Sequence, residues 1–297
     1  MIKSQKSQSI IHKFFLILYF TIGFSALTYF GVIGYDYYKL PLEERVFHKN
    51  HSYLKPSGKI GHGLGIIGSL MMIIGVASYS IRKRWRKIKS LGYLKYWLEF
   101  HIFLCSVGPI LILYHSAFKF GGIISIGFWS MVIVVISGLI GRFLYVQIPR
   151  TLQGELLSLQ EIERQINVLL EEINLSVREK IRNIILSDKF EKKQIKDEKF
   201  LTMIKTLLYE TLNQHKKIQE AKRIIQLIPD QSLARKRDLI KKSKMLISLK
   251  TKSQLYFIIE KLFRYWHIYH LPFAITMFFL MFIHIVVAIL FGAIWIF

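Results

Sequence analysis

Residues 96–118 read YWLEFHIFLCSVGPILILYHSAF. Two histidines, His101 and His115, stand fourteen residues apart in this apolar run. A bilayer-crossing helix takes roughly 20 apolar residues, and this stretch is long enough. Polar side chains inside a membrane are costly, so each histidine needs a physical reason. Residues 266–284 repeat the arrangement as WHIYHLPFAITMFFLMFIH, where His270 and His284 are again fourteen apart. At about 100° and 1.5 Å per residue, fourteen steps return to within about 40° of the same face and cover about 21 Å.

Working outward, five segments qualify as spans: 14–34, 60–81, 96–118, 123–146 and 271–297. The composition agrees: 52% of the 297 residues are hydrophobic and 14% aromatic, and the mean hydropathy is +0.34. The first span follows Lys3, Lys6 and Lys13. Its apolar run is too long for a signal-peptide core and no small-x-small cleavage site follows, so it reads as a retained anchor. Orientation comes from Lys and Arg in the loops. Residues 82–89 read RKRWRKIK, which places that loop, the N-terminus and the far end of span four (Arg142, Arg150) on the cytoplasmic side. Loop 35–59, the turn at 119–122 and the C-terminus fall outside. The expected location is the inner (cytoplasmic) membrane, multi-pass, in contact with membrane lipid.

The domain reading is 1–149 for spans one to four, 150–262 for a basic cytoplasmic insert and 263–297 for span five. In the insert, apolar residues recur at helical spacing: Leu152, Leu156, Leu159, Ile162 and Ile166, then Phe200, Ile204, Leu207 and Leu208. A polar linker at 187–197 separates these stretches. A third begins after Pro229-Asp230, with Asp230 or Ser232 as cap, and runs into span five. The expected fold is all-α and integral to the membrane. Five transmembrane helices form a di-haem bundle, and a cytoplasmic helical hairpin or bundle is inserted between helices four and five.

The formal charge of +23 calls for an anionic neighbour, either nucleic acid or the negative cytoplasmic leaflet. The runs Arg235-Lys236-Arg237 and Lys241-Lys242 carry no interleaved aromatic residues for stacking bases. No nucleic acid is therefore expected. The bland reading is a solvated basic helix near lipid, and an acidic redox protein is a third possibility. Cys105 is the one cysteine, which excludes disulfides, Cys-ligated iron–sulfur clusters and c-type haem attachment.

The histidines carry the chemistry. Spans three and five run in the same direction, so their spacings match in register. His101 faces His270 near the inner leaflet, and His115 faces His284 further out. Each pair can hold one iron porphyrin edge-on, because haem iron takes two axial nitrogens and neutral imidazole supplies them. Two such groups would relay electrons across the bilayer. A single histidine in a span is more often a satisfied core residue or a proton-path residue. The repeat on two spans favours ligation. His267 is the alternative to His270, but seventeen residues from His284 turn its face by about 100°. His62, at the outer end of span two, reads as a ligand, a quinone-site residue or an interfacial residue. His48, His51 and His215 read as solvated.

In the stretches Trp97-Leu98-Glu99-Phe100-His101, Tyr114-His115-Ser116, Trp266-His267-Ile268-Tyr269-His270-Leu271-Pro272 and Phe282-Ile283-His284, the chain resembles the bis-histidine di-haem b-type cytochromes. Its use of spans three and five resembles the membrane domain of ferric reductases and NADPH oxidases. The resemblance covers the spans and rests on pattern. It implies two haem b as cofactors. No flavin or NADPH domain accompanies the spans here, and the insert departs from the family pattern. A redox partner is therefore expected: a flavoprotein, an iron–sulfur or a multihaem cytochrome subunit, with a quinone as possible substrate.

Haem propionates are anionic and suit interfacial cations, with Arg142, Lys95 and Arg264 as inner candidates and Lys59 and Lys119 as outer ones. Glu99 is placed to handle a proton beside the inner pair. Glycines of spans two and four serve either close approach of a porphyrin or ordinary helix packing. Pro109 and Pro272 are expected to kink their helices. The reading from another class is a non-haem membrane-anchored scaffold or sensor whose insert is the working part.

Overall fold

A computed structural model describes residues 2–85, 92–148, 158–173, 179, 183, 200–228 and 232–292. No strand occurs among the described residues; the regular structure is helical. The long helices are α1 (Ile2–Tyr38), α3 (Lys59–Arg84), α4 (Leu94–His115), α5 (Ile124–Gln147) and α8 (Leu233–Leu290). Between them lie α2 (His51–Leu54), α6 (Leu159–Glu171), α7 (Phe200–Gln226) and a 3-10 turn over Glu44–Phe47. Among the described residues, five helices are long and apolar enough to cross a membrane, the build of a multi-pass membrane protein.

The spans lie where hydropathy puts them, but two helices outrun it. α1 extends past both limits of the 14–34 segment. α8 carries the third stretch of the insert into the fifth span as one helix of 58 residues. Hydropathy marks where a helix is apolar, and polar residues continue a helix without marking its end. Both Pro109 and Pro272 sit inside continuous helices. Ser232 takes the cap role at α8, its Oγ accepting from the Arg235 N–H at 3.4 Å. Outside the described residues lie Arg86, Lys87 and Lys89 of the basic loop, Arg150, Leu152, Leu156, the 187–197 linker, Pro229-Asp230 and 293–297.

The chain divides into two compact units, Met1–Leu139 with Tyr269–Phe297, and Ile140–Ile268. In the first, helices cannot be held by apolar burial alone, since lipid is as apolar as leucine; close packing and hydrogen bonds do the holding. α3 meets α4 through glycines. A Cβ on Gly68 would stand 2.8 Å from the Gly108 carbonyl oxygen, and one on Gly108 would stand 2.8 Å from that of Gly68. The two backbones therefore touch, which settles the role of these glycines as helix packing. The run Gly63-Leu64-Gly65-Ile66-Ile67-Gly68 has the G-x-G-x-x-G spacing of a dinucleotide loop, yet it lies inside α3 and follows no strand. α1 is tied to α4 by Tyr114, whose hydroxyl donates to the Leu27 carbonyl at 2.7 Å.

The end of α4 is pinned. Ala117 and Phe118 both adopt left-handed backbone, φ 48° and 58°, which is costly for residues with a Cβ. The buried Arg45 holds this turn: it donates to the carbonyls of Ala117, Tyr38 and Leu40 and lies over the Tyr37 ring. A cation among carbonyls at helix C-termini complements the helix dipole. Arg45 is thus a clamp rather than a solvated loop charge. His48 and His51 are also engaged rather than simply solvated. The Tyr37 hydroxyl is 3.2 Å from His51 Nδ1, and His48 Nδ1 accepts from the Asn50 N–H at 3.1 Å.

The second unit has a core of the water-soluble kind. α7 buries Met203, Leu207, Ala221 and Ile225 along one stripe. Near one end, Ile162 and Ile166 of α6 pack with Ile225 and with Leu246 and Ile247 of α8. Near the other, Leu144 of α5 packs with Met203 and with Ile258 and Ile259 of α8. Each fully buried aliphatic side chain is worth about 1.5–3 kcal/mol in water. Ser158 caps the start of α6: its Oγ accepts from the Glu161 N–H at 3.1 Å. Hydrogen bonds from Arg164 and Gln165 hold the Glu161 carboxyl below its ordinary range. Lys242 joins α8 to Glu172, just past α6, at 3.1 Å.

Candidate functional site

The histidines of interest lie in the first unit, on α4 and the last part of α8. The rings of His115 and His284 meet, with centroids 6.2 Å apart and planes at 59°. His115 is the better anchored. Its Nδ1 lies 2.8 Å from the Gly61 carbonyl oxygen of α3. A carbonyl only accepts, so Nδ1 carries the proton and Nε2 keeps its lone pair. Gly65, one turn on, makes this approach possible: a Cβ there would stand 2.7 Å from His115 Nδ1. Among the described residues, the ring nitrogens of His284 have no hydrogen-bond partner.

At the other level, His101 repeats the arrangement on α3. Its Nδ1 donates to the Gly75 carbonyl at 3.0 Å, and Tyr79 lies beside its ring at 5.5 Å. Gly61 and Gly75 are fourteen residues apart, so α3 carries the same register as the histidines. The Cys105 thiol sits 3.6 Å from His101 Nδ1. His270 is anchored on α5, with Nδ1 2.6 Å from Ser137 Oγ. Its neighbour His267 falls in the second unit, exposed, with its ring against Phe263 and Trp266. His270 falls in the first unit with the other three histidines of the register.

Between the two histidine levels lies a methionine layer. Met72 of α3, Met131 of α5 and Met277 of α8 are buried together, with Ile112 and Phe278 against them. Met277 is seven residues from both His270 and His284. Unbranched thioether side chains fill irregular gaps between helices well.

The remaining candidates are scattered. His62 lies near enough to His115 and His284 to interact electrostatically with both. No group of three or more His, Cys, Asp or Glu side chains gathers to hold a metal ion among the described residues. Arg142 belongs to the second unit, with its guanidinium 6.0 Å from the Tyr145 ring. Glu99 is buried two residues before His101, with the Lys95 ammonium at 3.9 Å. His215 is exposed on α7.

Sequence reasoning missed Gly61, Gly75 and Ser137 as anchors. The fourteen-residue spacing of the glycines was the available signal for two of them. No protein-family model matches the chain, and no curated protein or solved structure matches it either.

Proposed function

We propose that the chain is the membrane subunit of a di-haem b-type cytochrome. It passes electrons across the bilayer between a quinone or redox-protein partner on one face and an acceptor on the other. The observation that carries this reading is the meeting of His115 and His284 at 6.2 Å. Imidazole nitrogen bonds a first-row metal at about 2.0–2.1 Å, and the ring centre lies about 1.1–1.2 Å behind that nitrogen. Two imidazoles on opposite sides of one iron therefore set their centroids about 6.2–6.6 Å apart.

The surroundings fit as well. Metal-bound histidine ordinarily donates its other N–H to a carbonyl or similar acceptor, which fixes tautomer and ring direction. His115 and His101 both do so, on Gly61 and Gly75. When bound, iron porphyrin supplies a one-electron couple at each level. The chain's own residues bind and orient: His115 with His284 at one level, His101 with His270 at the other. Glu99 holds a carboxyl beside the His101 level, a place to receive or release a proton at the membrane edge. In this reading the His101 level and the 150–262 segment face the cytoplasm, which the excess of Lys and Arg in the loops supports.

The absorption spectrum of the purified chain tests the proposal. A Soret band and b-type α bands that sharpen on reduction are expected. A colourless protein overturns it. That result would favour the scaffold or sensor reading, which the self-contained core of the second unit supports. In that case the helical segment would work when tethered to unrelated spans.

A further inference from the structure

The charge of the insert finds no use in the chemistry of the spans, and α7 shows where part of it gathers. One face of α7 serves the core of the second unit, with Met203, Leu207, Ala221 and Ile225 buried. The opposite face carries leucines as well. Leu201 and Leu212 are 70% and 68% exposed, and Leu208 and Tyr209 between them are exposed too. At about 100° per residue, Leu201, Leu208 and Leu212 fall within about 40° of arc. A helix with water on one side needs no apolar residues there, so three in register mark a face that lacks its neighbour. The spacing of seven and then four belongs to the narrow seam of a helix pair. Lys205 stands in the seam between Leu201 and Leu208. Further along the same side, His215, Lys216, Gln219, Glu220 and Arg223 line an open cleft of about 530 Å³. The exposed charges of α7 are Lys205, Lys216, Lys222 and Arg223 against one acid, Glu220.

We infer that this face of α7 is a docking surface for an amphipathic helix of an acidic partner protein. Apolar residues of the partner cover Leu201, Leu208 and Leu212, and its carboxylates meet Lys205, Lys216 and Arg223. Charge argues against a second copy as the occupant. Two copies in one membrane point the same way, so a symmetric pairing through α7 would set Lys205 against Lys205 and Lys216 against Lys216, like against like. The width of the stripe argues against lipid, since a helix that lies on a membrane buries a broad apolar face rather than a seam. The inference uses only the second unit and stands apart from the di-haem reading.

The test uses the full chain in nanodiscs. The probe is a fluorescent synthetic helix with leucine along its seam and glutamate on either side. Fluorescence anisotropy is expected to show binding that weakens as salt is raised. The same peptide with lysine in place of glutamate should not bind. Leu208→Ser with Leu212→Ser is expected to weaken binding about ten-fold or more, because the partner's apolar residues lose their cover. Lys216→Glu with Arg223→Glu is expected to lose the acidic peptide and gain the basic one, a reversal that a misfolded protein would not show. The inference is overturned if the acidic peptide does not bind, if both variants bind it unchanged, or if the two peptides bind alike. Two further results would overturn it by naming another occupant. One is a dimer in analytical ultracentrifugation that the leucine substitutions break, which would be a second copy. The other is Leu208→Trp fluorescence quenched by brominated phosphatidylglycerol in the nanodisc, which would be lipid.

Discussion

The two ends of the histidine register look alike in sequence and differ in structure. At the His115 end two imidazoles face each other with centroids 6.2 Å apart, one fixed to a backbone carbonyl and the other without a hydrogen-bond partner among the described residues. At the His101 end each imidazole has its own anchor, a carbonyl for His101 and a hydroxyl for His270. Equal spacing sets the level at which a side chain stands along a helix. It does not set how that side chain is aimed, which depends on what the neighbouring helix offers. The His115 end is thus held by closeness, and the His101 end by separate hydrogen bonds on two different helices.

The largest effect expected from this comparison follows His115→Ala. The proposed pair at that end loses one of two ligands, the one hydrogen-bonded to the Gly61 carbonyl. Haem content should halve, with the remaining centre keeping its signal, as read by pyridine haemochrome assay against protein mass. Unchanged haem content would mean that His115 and His284 meet for packing alone.

A smaller effect is expected from Gly65→Ala. The added methyl would stand 2.7 Å from His115 Nδ1, closer than real contacts allow, so the imidazole must leave the Gly61 carbonyl or α3 must shift. Overpacking of this kind costs about 1–3 kcal/mol. The haem at the His115 end should bind about ten-fold more weakly, while the His101 end, whose anchor Gly75 lies almost three turns away along α3, keeps its retention. Haem-transfer rates followed centre by centre decide this. Equal weakening at both ends would show that Gly65 serves the whole α3–α4 contact and not the imidazole.

How much of this was legible follows from the same contrast. The spans were visible because about 20 apolar residues in a row have few other uses. The histidine levels were visible because fourteen residues return to one face. The anchors were not. Every residue has a carbonyl, so nothing in the letters Gly61 or Gly75 says that this carbonyl takes a second partner; only the missing side chain at Gly65 makes the approach possible. Ser137 was hidden because the meeting of α5 and α8 is tertiary. Nothing in the letters around Arg45 marks it as buried, because burial is not written in composition. The Ser158 cap of α6 is local by contrast, since it joins residues three apart.

The smallest effect belongs to Gly138, next to Ser137 on α5. A Cβ there would meet nothing within 4 Å, so the backbone tolerates one. Glycine in a helix interior is less favourable than alanine by about 0.5–1 kcal/mol. Gly138→Ala is therefore expected to leave haem content unchanged and to raise thermal stability slightly, in contrast to the same change at Gly65. The pair of substitutions separates two uses of a glycine in a span: room for a neighbour already in place, and room that no protein atom claims. If Gly138→Ala instead weakens the haem at the His101 end, the bare α-carbon is a surface on which the porphyrin lies. The two ends of the register would then differ in how they receive the ring as well as in how they hold its iron.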